Sequence, residues 1–143
     1  MYQTKLSAGL DLCSVGPVNL RPLERAVVDT GVYLKDILPD DMRLNPTMYI
    51  PLDVTPFAMV CSRSGLAARD GVIVLNAPGI IDADYQETIK VILLNTGDSL
   101  VRLTAGSRIA QIVFAYAYRK TELVRNEDRT GGLGSTGGGD VTI

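Results

Sequence analysis

The chain has 143 residues, 46% of them hydrophobic, with a formal net charge of −2 and no histidine. That length gives one domain its own core, and the absence of histidine excludes Ser-His and Cys-His catalysis and histidine-ligated zinc. No apolar run approaches a bilayer span or follows a basic N-terminus, and the charge argues against general nucleic-acid binding, so a soluble cytoplasmic protein with no nucleic-acid or membrane partner is expected.

Near the N-terminus, Ala8-Gly9-Leu10-Asp11-Leu12 places one acid in an otherwise apolar strand. Burying a bare carboxylate is costly, so Asp11 needs a partner or a metal-bound water, unless it is a turn acid. Short segments rich in Val and Ile follow, separated by Gly, Pro, Asn and Asp: 26–28, 32–34, 48–52, 57–61, 72–75, 88–95, 100–103 and 109–117. This spacing of short strands predicts an all-β sandwich or barrel. Residues 35–56 hold four prolines and several acids and read as a long inserted loop with a strand in it. Only Ser64–Asp70 reads as a helix, with Ser64 as its N-cap and Gly71 as its stop. Cys13 and Cys61 are too few for a disulfide scaffold and read as small buried hydrophobes.

Three places carry anion-binding chemistry. Ser62-Arg63-Ser64-Gly65 sets a hydroxyl, a guanidinium and backbone N–H groups at a helix start, although arginines there are commonly just solvated. Gly106-Ser107-Arg108-Ile109-Ala110-Gln111 opens a buried-looking strand; Arg108 could equally be a surface ion pair and Gln111 a satisfied amide. The tail 126–143, NEDRTGGLGSTGGGDVTI, has too few apolar residues to order itself, yet sets an Arg, a Leu and a Ser-Thr pair among glycines. A flexible glycine-rich arm that folds over an anionic ligand fits this composition. The domain is therefore placed at 1–125 and the arm at 126–143.

The most informative stretch is Asn76 to Tyr85, NAPGIIDADY. It is expected to form a hairpin, with the strand 72–75 turning at Pro-Gly and returning through Ile80 to Tyr85. That puts two carboxylates and a tyrosine at a strand rim, where a side chain is held stiffly yet stays reachable.

Taken in order, AGLDL (8–12), SRSGLA (62–67), NAPGIIDADY (76–85), GSRIAQ (106–111) and RTGGLGSTG (129–137) resemble the five motifs of the trimeric all-β dUTPase family. The resemblance covers almost the whole chain. It implies a jelly-roll-like β-clip or barrel, hydrolysis of dUTP to dUMP and pyrophosphate with Mg2+, and a homotrimer whose sites lie between subunits, each closed by a neighbour's tail. It makes Asp82 the general base and Arg129 its catalytic partner at the phosphates. Arg63, Ser64, Gly65 and Gln111 become the phosphate cradle. Asn76, Gly79, Ile80 and Ile81 read the uracil, Tyr85 packs on the deoxyribose, and Lys90 lines the nucleoside pocket. Leu133, Gly134, Ser135 and Thr136 form the lid, and Asp11 meets magnesium through water.

The chain departs from the family in several places. Cys61-Ser62 stands where relatives often have Ala-Pro, and Glu87 stands near a usual glycine. Leu133 replaces an aromatic, and the spacing after Arg129 is one residue short. The loop at 35–56 is long, as in bacteriophage members, which adds a bacterial repressor as a candidate partner. A dCTP deaminase relative and a non-enzymatic regulator remain the alternatives.

Overall fold

A computed structural model describes residues 2–42 and 54–118. Along the chain come β1 (Leu10–Cys13), β2 (Val18–Leu20), β3 (Arg25–Tyr33), α1 (Leu34–Ile37), a 3-10 turn (Asp40–Met42), β4 (Val54–Cys61), α2 (Ser64–Asp70), β5 (Val72–Val74), β6 (Gly79–Asp82), β7 (Thr88–Asn95), β8 (Val101–Leu103) and β9 (Arg108–Tyr118). The strands form three antiparallel sheets, ordered β1-β9-β4-β6, β3-β7-β5 and β2-β8. This is the expected all-β, jelly-roll-like fold.

Side chains that alternate along the strands build one core. In β4 the inward residues Pro56, Ala58 and Val60 are buried, while Phe57, Met59 and Cys61 on the other face are half-buried. Leu12, Ile112, Val60, Leu93, Val91 and Leu20 draw all three sheets into a single apolar cluster. Full burial of each such side chain is worth about 1.5–3 kcal/mol. Buried polar groups are satisfied. Thr30 Oγ1 donates to the Ile89 carbonyl at 2.7 Å, and Asn95 Nδ2 donates to the Leu20 and Ser99 carbonyls at 2.9 and 2.8 Å.

Several expected elements change. The segments 26–28 and 32–34 are parts of one strand, β3, whose ladder is irregular between Asp29 and Tyr33. Gly31, at φ 65°, accommodates the irregularity, and its N–H donates to Asp29 Oδ1 at 2.8 Å. Leu34 leaves the strand and starts α1, so the segment after it is partly helical rather than loop. The expected strand at 48–52 lies outside the described residues. Pro56 sits inside β4, beyond the last β6 partner, where β4 pairs only with β9 and no second ladder needs its missing N–H. β2 was not expected. Cys13 and Cys61 are half-buried free thiols rather than buried hydrophobes, because both lie on outward strand positions.

Ser64 is not the N-cap of α2. Arg63 takes that place with extended backbone (φ −88°, ψ 124°), and Ser64 is the first helical residue. Gly71 stops the helix as expected, at φ 67°.

Candidate functional site

The middle strand of the four-stranded sheet organises one half of the site. Gln111 on β9 faces Asp11 on β1 on one side and Cys61 on β4 on the other. Its Nε2 donates to the Ser62 carbonyl at 3.0 Å, which ties the start of the 62–67 segment to the sheet. Ser62 Oγ in turn accepts from the Val74 N–H at 2.9 Å. Gly9 leaves room for the Gln111 amide, since a Cβ there would stand 3.1 Å from its Cδ and push that side chain aside.

Asp11 is nearly buried, with its side chain 7% exposed. Arg63 Nε donates to its Oδ1 at 2.9 Å, and Arg108 Nη1 lies 3.5 Å from its Oδ2. Arg63 Nη1 also donates to the Arg108 carbonyl at 3.3 Å. A partner for this acid, one of the two readings of the sequence, is therefore present in duplicate. Asp11 and Arg63 line an open pocket of about 330 Å3 with Gln3, Ser7, Ala8, Gly9, Ser64, Gly65 and Gln111, and Arg108 stands beside it. A Cβ on Gly65 would meet nothing within 4 Å, so its backbone is approachable. A guanidinium in the pocket and a second beside it, with a hydroxyl, an amide and the first turn of a helix, suit an anion with several oxygens. Sequence reasoning missed Gln3 and Ser7. Nothing in their local pattern marks them, since their place depends on the Tyr2–Leu10 bridge.

The second half is the 76–90 segment. β5 and β6 do not pair with each other, so the expected two-stranded hairpin is not what forms. β5 pairs with β7 and β6 with β4, and the connection between them crosses from one sheet to another. Val72 and Val74 are buried in the core, and Ile81 packs against the same core from another sheet. Within the connection the Ala77–Pro78 peptide is cis, and a Cβ on Gly79 would stand 3.1 Å from Asn76 Nδ2. Ile80 is exposed, Ile81 packs on the core and Asp82 is exposed opposite Phe57. Tyr85 lies past β6 in a turn, its N–H donating to the Asp82 carbonyl at 3.1 Å. Its ring packs on the core and its hydroxyl donates to the Thr88 carbonyl at 3.4 Å.

Lys90 Nζ lies 3.2 Å from Glu87 Oε2, and this hydrogen bond and charge raise the Lys90 pKa above its ordinary value. Across the ladder, Asp29 is held below the usual carboxylate range, mainly by the Gly31 N–H and further by the Thr88 hydroxyl and the Lys90 charge.

The two halves are separate within one chain. The Asp82–Phe57 pair lies four residues along β4 from Cys61, which faces Gln111. At the usual strand rise that is about 13 Å. Arg129, Leu133, Gly134, Ser135 and Thr136 lie outside the described residues. Among the described residues no group of three or more Asp, Glu or Cys side chains could hold a metal ion. Nor is any helix among them long and apolar enough to cross a membrane.

An all-β fold with an arginine-bearing anion pocket and a carboxylate-bearing strand rim suits a nucleotide hydrolase. The dUTPase family model matches residues 1–137. A deoxyuridine 5'-triphosphate nucleotidohydrolase of Roseobacter denitrificans is 37% identical over 96% of this chain and 85% of its own length. A crystal structure of dUTPase from Streptococcus mutans superposes with a TM-score of 0.60 at 25% identity, over 80% of this chain and 82% of that one. The dUTPase of phage phi11 of S. aureus, described as coordinating a structural Mg(II) ion, shares the fold with a TM-score of 0.63 at 20% identity, over 92% of this chain and 90% of that one. The chain belongs to the dUTPase family.

Proposed function

We propose that the protein hydrolyses dUTP to dUMP and pyrophosphate, by attack of water on the α-phosphate. The observation that carries this reading is the convergence of Asp11, Arg63, Ser64, Gly65 and Gln111 on one anion pocket. Arg63 is already oriented by Asp11, so less side-chain entropy is lost when it meets a phosphate. Ser64 and Gly65 offer a hydroxyl and an unobstructed backbone.

Asp82 is the general base. It accepts the proton of the attacking water while the α–β phosphoanhydride bond breaks and pyrophosphate leaves. Tyr85, anchored by the core and by Thr88, presents its ring to the deoxyribose and excludes a 2′-hydroxyl. Asn76, Gly79, Ile80 and Ile81 read the uracil edge, and Lys90 lines the same pocket. Arg129, with Leu133, Gly134, Ser135 and Thr136, closes over the triphosphate.

The 13 Å step along β4 between the two halves supports a homotrimer, in which one subunit's anion pocket meets another's 76–90 segment. Asp11 fits only an indirect contact with Mg2+, since both its oxygens face guanidiniums. Magnesium arrives on the triphosphate, keeps most of its waters, and neutralises phosphate charge. The repressor-binding expectation rests on the 35–56 segment, of which 43–53 lie outside the described residues.

Pyrophosphate release should be measured with dUTP, dCTP, dTTP and UTP, and ammonia release with dCTP. Release from dUTP alone is expected. Ammonia from dCTP would establish the deaminase reading instead.

A further inference from the structure

A second guanidinium, which the proposed reaction does not use, stands beside the anion pocket in contact with two of its lining residues, Asp11 and Gln3. Arg108 opens β9 and is 46% exposed in its side chain. Its Nη1 lies 3.5 Å from Asp11 Oδ2 and donates a short hydrogen bond to Gln3 Oε1. Arg63 and Arg108 against Asp11 leave this cluster, at the pocket's edge, with one net positive charge. An exposed arginine samples many rotamers unless something holds it, and a wandering charge is a poor phosphate anchor.

Gln3 is itself held. Tyr2 forms a bridge with Leu10 of β1. Beyond Gln3 the chain turns, with the Ser7 N–H donating to the Thr4 carbonyl at 3.2 Å and the Thr4 N–H to Ser7 Oγ at 3.0 Å. Gln3 and Ser7 both line the pocket. Glutamine is an apt holder because its amide oxygen accepts from the guanidinium without cancelling its charge.

We propose that Gln3 is a positioning residue for the triphosphate. It fixes Arg108 beside Asp11, so that the pocket presents two ordered guanidiniums to the substrate instead of one. This rests on the reading of the pocket as a phosphate site.

The test is a double-mutant cycle on the full chain, read by KM and kcat for dUTP and by calorimetric binding of inorganic triphosphate with Mg2+. Gln3→Ala should raise KM about 3–10-fold with kcat nearly unchanged, the range of one hydrogen bond's ordinary net contribution, because the bond is lost from the residue that holds Arg108 and not from the substrate itself. Gln3→Glu should raise KM further, because it still grips Arg108 but neutralises it. Arg108→Gln should match or exceed the effect of Gln3→Ala. The pair of substitutions together should be no worse than Arg108→Gln alone, since Gln3 acts through Arg108. Unchanged KM in Gln3→Ala, or additive effects in the pair, would overturn the proposal. Should the parent protein release no pyrophosphate from dUTP, the functional reading falls, while triphosphate binding still decides the Gln3–Arg108 coupling.

Discussion

Asp82 and Tyr85 are three residues apart, yet each is asked for a different kind of selectivity. Asp82→Asn is isosteric but cannot take a proton, so kcat should fall about 10²–10⁴-fold with dUTP binding retained. Near-normal turnover would remove Asp82 from the role of base. If Tyr85 packs on the deoxyribose as proposed, Tyr85→Ala opens space beside C2′. The dUTP/UTP ratio of kcat/KM should drop, and an unchanged ratio would place the sugar elsewhere. Asp29 gives a prediction of pH dependence. Its folded pKa lies below its ordinary 3.8. A depressed carboxylate contributes stability that is complete above the unfolded pKa and lost as pH falls through the folded one. The Tm gap between the parent and Asp29→Asn should therefore be present near neutrality and vanish well below pH 3.8. A gap unchanged in strong acid would rule out the charge of Asp29 as its source.

At the scale of elements, the anion pocket depends on how α2 begins and ends. Its first residues, Ser64 and Gly65, face the pocket, and its last turn is closed by Gly71 in the left-handed region. A Cβ on Gly71 would stand 2.8 Å from the backbone N of Gly97. Gly71→Ala should cost about 1–3 kcal/mol, through strain at φ 67° and the backbone clash. Chemical denaturation would measure it, and a cost near zero would mean that the helix end can shift freely. The helix was legible in the sequence because a serine at its start and a glycine at its end are local signals. Its N-cap was not, because Arg63 is fixed by Asp11, 52 residues away. The partners of β5 and β6 were hidden for a similar reason. A Pro-Gly turn suggests a hairpin, but which sheet each arm joins depends on burial against distant strands. Gln3 left no signal at all, since an exposed glutamine acquires meaning only from the guanidinium it meets.

For the whole molecule, the proposed sharing of each site between subunits predicts that turnover requires association. Light scattering should give a trimer, and activity from a stable monomer would sink the shared-site arrangement. Deleting 126–143 should leave a folded trimer that still binds dUMP but turns over dUTP very slowly. Full turnover after deletion would withdraw Arg129 and the residues 133–136 from the site. The five motifs were legible as motifs because each is short and contiguous. The grouping of the first four into two halves became visible only with the strand order, and the fifth lies outside the described residues.

The place of β9 at the centre of its sheet also governs how the protein comes into being. β9 is the last strand of the described chain, yet it lies between β1 and β4. The Asp11–Arg108 contact closes over 97 residues and the Ser62–Gln111 contact over 49. During synthesis β1 and β4 therefore leave the ribosome without the strand that will separate them, and their inner edges stay open until almost the whole chain has emerged. Such non-local pairing belongs to the slower folding regime of about milliseconds to seconds. No fragment of the nascent chain has a phosphate pocket to be rescued by ligand. Nucleotide can stabilise this enzyme only after its longest loop has already closed.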